Sequence, residues 1–208
     1  MYASKAQRIS LMRSDIRSEI KKQKKLGFGK GGDFYGPFWA DAKNHVASNF
    51  DLGLATTERI ASNKGRKRLY EMLRDGFLLW WEEKRRLRNV PFKVIEGSVK
   101  ARYEAPGSGT IKIENTLSIT IGDDGHRILY PYFYEDPALS DEAARLGLWV
   151  MSQCIGGYSA KDMRLLDVIK GRSFSDIDTP LIGNEEALFL KRYGELLTEW
   201  RTLREEYD

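Results

Sequence analysis

One cysteine, two histidines and six prolines are spread over 208 residues, and each scarcity closes a route. The lone Cys154 excludes an internal disulfide, and the N-terminus has no apolar run of the secretory kind, so the sequence predicts a reducing, cytoplasmic setting. His45 and His126 with a single cysteine make no zinc-like spacing, and neither a metal site nor a cofactor is predicted. Cys154 has no neighbouring histidine and reads as a small buried residue rather than a nucleophile. The most apolar stretch, residues 77–81, is far shorter than the roughly 20 residues of a membrane-spanning helix. No membrane partner is expected.

What is abundant is charge, unevenly placed. Residues 1–100 hold 22 Lys and Arg against 11 Asp and Glu, and residues 101–208 hold 12 against 19, so that +11 and −7 combine to the net +4. A positive first half suits a phosphate polymer or an acidic protein surface. The bland alternative is that the two halves neutralise each other.

Hydrophobic periodicity supplies the elements. Residues 3–26 carry Ile9, Met12, Ile16 and Ile20 at helical spacing among basic residues, a narrow stripe that must pack on something. Glycines 27, 29, 31, 32 and 36 interrupt it as a hinge, and Pro37 suits the first turn of a new helix. Helices are predicted over 39–49, 57–63 and 66–88; in the last, Leu69, Leu73, Phe77 and Trp80 share a face, with Gly76 beside it. Three strands follow. The first covers 92–104, and the second, 111–121, alternates Ile111, Ile113, Leu117, Ile119 and Ile121 with polar residues. Asp123-Asp124-Gly125 turns it into the third, 126–134, where Pro131 argues for an edge or a strand end. Ser140 is a predicted N-cap for an apolar helix ending at Gly156-Gly157; strands follow at 163–170 and 173–175. Asn184 is a predicted cap for a final helix with the seam Phe189, Tyr193, Leu196, Trp200, Leu203 and Tyr207.

The fold class is therefore α+β: a helical N-terminal region, a mixed sheet of about four strands flanked by helices, and a long C-terminal helix. Two regions are predicted. Residues 1–63 form a basic helical region with a glycine-rich hinge at 27–36, and 64–208 form the α+β core with its C-terminal helix at 184–207.

From Arg66 to Lys170 the order helix, strand, strand, strand, helix, strand resembles the core of the PD-(D/E)XK superfamily, the restriction-endonuclease-like or RecB-type nucleases. That resemblance implies a magnesium site, built from an aspartate near the second strand and a Glu-X-Lys on the third. Here the second strand offers Glu114 and its turn Asp123 and Asp124, while the third reads Ile128-Leu129-Tyr130-Pro131-Tyr132 without Glu-X-Lys. No catalytic residue carries over. A divergent nuclease would have to use Glu96, Glu104, Glu114 or Asp123.

The leading expectation is a non-catalytic nucleic-acid-associated binding protein, or a subunit of a nucleoprotein complex, that contacts the phosphate backbone through its basic N-terminal half. Its phosphate contacts are predicted at Lys21, Lys22, Lys24, Lys25 and Lys30, at Lys64, Arg66, Lys67 and Arg68, and at Arg85, Arg86 and Arg88. Cations at 64–68 oppose the dipole of the helix they begin, which points to an external anion; those at 85–88 match it. The alternative is an interaction or inhibitor protein that meets its partner through Phe34, Tyr35 and Trp39, the tyrosines at 130–134, or the C-terminal seam. Asn115, interrupting an apolar stripe, is either a site residue or a satisfied structural one.

Overall fold

The computed structural model describes residues 2–23, 34–48, 50–86, 90–107 and 109–207, without the side chains of 22, 23 and 84–86. The helices are α1 (Lys5–Gln23), α2 (Gly36–Ala47), α3 (Leu52–Ser62), α4 (Lys67–Arg86), α5 (Asp141–Cys154) and α6 (Glu185–Glu205). The strands are β1 (Phe92–Val94), β2 (Ala101–Ala105), β3 (Gly109–Ile113), β4 (Leu117–Ile121), β5 (Gly125–Tyr132), β6 (Met163–Asp167) and β7 (Arg172–Phe174). The class is α+β. Local chemistry accounts for several boundaries: Pro37 occupies the first turn of α2, Asp51 accepts the Leu54 N–H to cap α3, and Ser140 accepts the Ala143 N–H to cap α5. Asn184 does not cap α6 with its side chain; the buried Glu185 carboxylate instead takes the N–H groups of Ile182 and Gly183.

The chain divides into two compact units: one gathers residues 1–32, 104–109 and 182–208, the other 33–103 and 110–181. In the first, α1 and α6 pair. Met12, Ile16 and Leu203 are buried there, flanked by Ile9, Ile20, Leu196, Trp200 and Tyr207, so each predicted stripe covers the other. Contacts advance together along both helices, from Tyr2 under the Arg192 guanidinium to Arg8 with Glu199 and Arg13 with Glu206, which makes the pair parallel. Two amphipathic helices from opposite ends of the sequence thus solve one burial problem.

The second unit is built on a five-stranded sheet in the order β1-β4-β5-β6-β7, with β5 and β6 parallel and every other neighbour antiparallel. The parallel pair requires a crossover, and α5 supplies it. Both long predicted strands are divided. The chain turns at Asn115, whose φ of 60° is the one positive value among described non-glycine residues, and Gly97 has φ 74° in the facing segment. Hence β1 and β4 join the main sheet while β2 and β3 form their own two-stranded ribbon. Asn115 tolerates the left-handed region better than most residues. It is exposed, and its carbonyl accepts the indole N–H of Trp39 at 2.5 Å, a structural use.

Pro131 is not on an edge strand, since β5 is the middle of the sheet. It is tolerated because pairing with β4 ends at Leu129, two residues earlier, so β4 loses no ladder bond to the missing N–H. One sheet face is covered by α2 and α4 through Phe38, Trp39, Tyr70, Leu73, Phe77 and Trp80, against Leu117, Ile119, Leu129 and Leu166. On the other face α5 approaches β6 so closely that a Cβ at Gly147 would meet Leu165 Cδ1 at 2.5 Å.

Candidate functional site

In the second unit, the segment that leads into α4 brings cations and aromatic rings together. Asn63 accepts the Gly65 N–H and starts a short 3-10 turn, Lys64–Arg66, that passes directly into α4 and displays Lys64, Lys67 and Arg68. The Arg66 guanidinium lies 5.4 Å from the centre of the Tyr70 ring and 5.8 Å from that of Phe34. Phe34 is 43% exposed. Arg68 donates to Glu135 at 2.6 Å, and the next ring along, Tyr134, is 45% exposed and packs against Tyr35 at 5.8 Å. Lys64, Lys67 and Arg68 thus share their surface with Glu71 and Asp75, while the exposed Phe34 ring adjoins Arg66 and the exposed Tyr134 neighbours Glu135, the partner of Arg68.

The predicted contacts meet different fates. Lys64 and Lys67 are exposed and have no partner among the described residues. Arg66 is spent on ring stacking, worth about 0.5–2 kcal/mol for a cation over an aromatic face. Arg68 makes a surface ion pair, of the kind worth at most about 1 kcal/mol, and stays accessible. Lys21 is exposed on α1. The backbones of Lys22, Arg85 and Arg86 end their helices while their side chains lie outside the description, and Lys24, Lys25, Lys30 and Arg88 lie outside the described residues. Of the aromatic trio, Phe34 faces solvent, Tyr35 is half-buried and stacks on Phe133 at 5.0 Å, and Trp39 is a core residue at 2% exposure. Burial, and then the charge Tyr134 would carry, push the Tyr35 hydroxyl up.

The charge division between sequence halves does not survive folding. The unit containing α1 and α6 holds 13 Lys and Arg against 10 Asp and Glu; the sheet unit holds 21 against 20. Arg8 and Arg13 are directly paired with Glu199 and Glu206, and the Arg8 guanidinium draws the Glu199 carboxyl below its usual value. A local patch remains.

A second feature, invisible to sequence reading, is a cavity of about 300 Å³ between the C-terminal part of α4 and the sheet. Trp80, Trp81 and Phe92 wall one side and Ile119, Ile121 and Leu129 another; Arg127 on β5, Arg164 on β6 and Asp178 also line it. The available signal was an arginine at the head of each apolar stripe, Arg127 before Leu129 and Arg164 before Leu166 and Val168.

The carboxylates considered for a nuclease do not assemble. Glu96, Glu104, Glu114 and Asp123 are all exposed, and among the described residues no three His, Cys, Asp or Glu side chains meet in a way that could hold a metal ion. On β5, Tyr130 and Tyr132 stand where Glu-X-Lys is missing. Burial, followed by the Glu114 and Tyr134 charges, raises Tyr130; burial, Asp167, Tyr134, Asp136 and Tyr35 push Tyr132 up to about 12. Opposite Tyr132, Asp167 is buried and raised by that burial, while accepting the Lys170 N–H at 3.0 Å. Cys154 is half-buried with its thiol raised by burial, and donates to the Val150 carbonyl. His45 Nδ1 is 2.6 Å from the Phe50 carbonyl, and His126 packs edge-on against Tyr158. Comparison of the chain with protein-family models, with curated proteins and with solved structures finds no match.

Proposed function

We propose that this protein binds nucleic acid without cleaving it, at the edge formed by Lys64, Lys67 and Arg68 together with Phe34 and Tyr134. One observation carries the reading: Lys64 and Lys67, exposed and making no ion pair among the described residues, flank Arg66, whose guanidinium lies over the exposed Phe34 ring. Cations attract phosphate, and a ring face stacks on any base, for roughly 1–3 kcal/mol per base. This combination favours single strands, whose bases are free to stack. The positive end of the α4 dipole lies at the same residues and adds a favourable field for an anion.

The element order α4, β1, β4, β5, α5, β6 keeps the sequence resemblance to a PD-(D/E)XK core in play, with the β2–β3 ribbon as an addition. On this reading the core is a scaffold, because β5 has no carboxylate or lysine along its length. An acidic protein surface is the competing partner. It would use the lysines but gain little from the stacking faces.

The test is fluorescence anisotropy with labelled single-stranded and duplex DNA and RNA across a salt series. The single strand is expected to bind more tightly, and the double variant Lys64→Glu, Lys67→Glu to flatten the slope of log affinity against log salt by about 2, roughly one unit per phosphate contact. Phe34→Ala with Tyr134→Ala should weaken binding at every salt concentration without changing the slope. Absence of binding at low salt, or wild-type slopes in the lysine variant, would remove the proposal.

A further inference from the structure

We propose that the cavity beneath the C-terminal part of α4 is a binding site for a small aromatic molecule bearing a single carboxylate. This inference is independent of the nucleic-acid reading, since it uses none of the same residues.

Apolar walls and a fixed cationic corner define the site. Trp80 and Trp81 on α4, Phe92 on β1 and the Ile119 and Ile121 side chains enclose a space of about 300 Å³, at the small end of ligand pockets and suited to one ring with a short tail. Arg164 is anchored rather than paired: Nη1 donates to the carbonyls of Lys161 and Met163 at 2.7 and 2.6 Å. Its Nε and Nη2 have no acceptor, and no carboxylate within ion-pair distance, among the described residues. Anchoring of this kind orients the guanidinium before a ligand arrives, so little ordering remains to be done on binding.

Arg127 stands close enough that its charge, after burial, is the next cause lowering the Arg164 pKa. Two guanidinium groups held near each other in a partly desolvated corner repel, and an anion between them removes that repulsion. Acidic neighbours also act on the pair. Asp162 lies 3.7 Å from Arg127, and Asp176 and Asp178 favour the charged form of Arg164; Asp178, which also lines the cavity, is exposed and bonded by the Ser175 hydroxyl at 2.6 Å.

The rim and the wall add two further signs. Val90 and Ile177 edge the opening at 45% and 80% exposure, apolar surface that a bound ring would cover. Trp80 is 5% exposed, yet its indole N–H lacks an acceptor among the described residues, an unusual state for a buried donor. A single negative charge suits the corner better than a phosphate dianion, given the three nearby aspartates.

The five tryptophan indole N–H groups provide a local readout by ¹H–¹⁵N NMR of the full chain. Titration with 3-phenylpropionate is expected to shift Trp80 and Trp81 while leaving Trp200 in place. The uncharged analogue 3-phenylpropanol should bind at least about tenfold more weakly, the worth of one charge-assisted contact. Arg164→Gln should abolish that preference without loss of the alcohol. Equal affinity for acid and alcohol, shifts elsewhere, or an unchanged preference in Arg164→Gln would overturn the proposal. If Arg164→Gln loses both ligands, Arg164→Lys decides: a retained preference for the acid supports the site, and its loss refutes it.

Discussion

Gly76 lies in the middle of α4, where helix propensity favours alanine over glycine by about 1 kcal/mol. The surroundings reverse that expectation. A Cβ built at Gly76 would sit 2.2 Å from the Val168 carbonyl oxygen and 2.3 Å from that of Ile169. Ordinary contact is farther by about 1 Å, so either the connection between β6 and β7 or the helix itself must move by that amount. The connection is held: the Val168 N–H donates to Tyr132, the Lys170 N–H to Asp167, and Gly171 adopts φ 62°. Displacing α4 instead would disturb Leu73, Phe77 and Trp80 in the core. Overpacking of this kind costs about 1–3 kcal/mol, and more when the obstacle is backbone. With the propensity gain subtracted from the upper part of that range, Gly76→Ala should lose roughly 1–2 kcal/mol, lowering the thermal midpoint by roughly 2–8 °C for a chain of this size. Gly194→Ala on α6 is the matched control, since nothing lies within 4 Å of its Cβ, and it should gain up to about 1 kcal/mol. Urea unfolding of the three proteins measures both. A Gly76→Ala variant as stable as the parent would refute the close approach of α4 to the sheet.

Two further outcomes follow from the sheet unit. Asp41, 6% exposed on α2, is held by the Arg59 guanidinium, with Nη2 to Oδ1 at 2.9 Å; Arg59→Leu should destabilise by about 3 kcal/mol because it strands a buried carboxylate, and Asp41→Asn added to it should recover part of the loss in the same urea assay. Tyr132, raised to about 12, keeps its proton in the folded state over a range where an unfolded tyrosine near 10 has lost it. Stability should therefore be insensitive to this group below pH 10 and fall between pH 10 and about 12, and Tyr132→Phe should show a shallower fall.

Much of the local organisation was legible in the chain itself. Helix periodicity located α1, α4 and α6; Pro37 and Ser140 begin their helices by chemistry confined to one turn; and Asp123-Asp124-Gly125 reverses the chain between β4 and β5. These features depend on neighbours within a few residues, which is why sequence exposes them. The Asp51 cap, by contrast, went unread, and α3 begins at Leu52 rather than at 57. The basic edge was half legible. Lys64, Lys67 and Phe34 were identifiable by type, but Arg66 and Arg68 were drawn into stacking and pairing by Tyr70, Phe34 and Glu135, and Trp39 was drawn into the core.

By itself the sequence determined which segments are helical or extended and which faces of them are apolar, because period, capping and turn chemistry are short-range. Only the tertiary structure decided what each face meets. It paired α1 with α6, and so set the Arg8 and Arg13 charges against Glu199 and Glu206; it divided the long strands at Asn115; and it brought Arg127 and Arg164 from separate strands to one cavity. In each case the partners are separated by many residues, and burial of complementary apolar surface, which is non-directional, selects them only when the whole chain is collapsed.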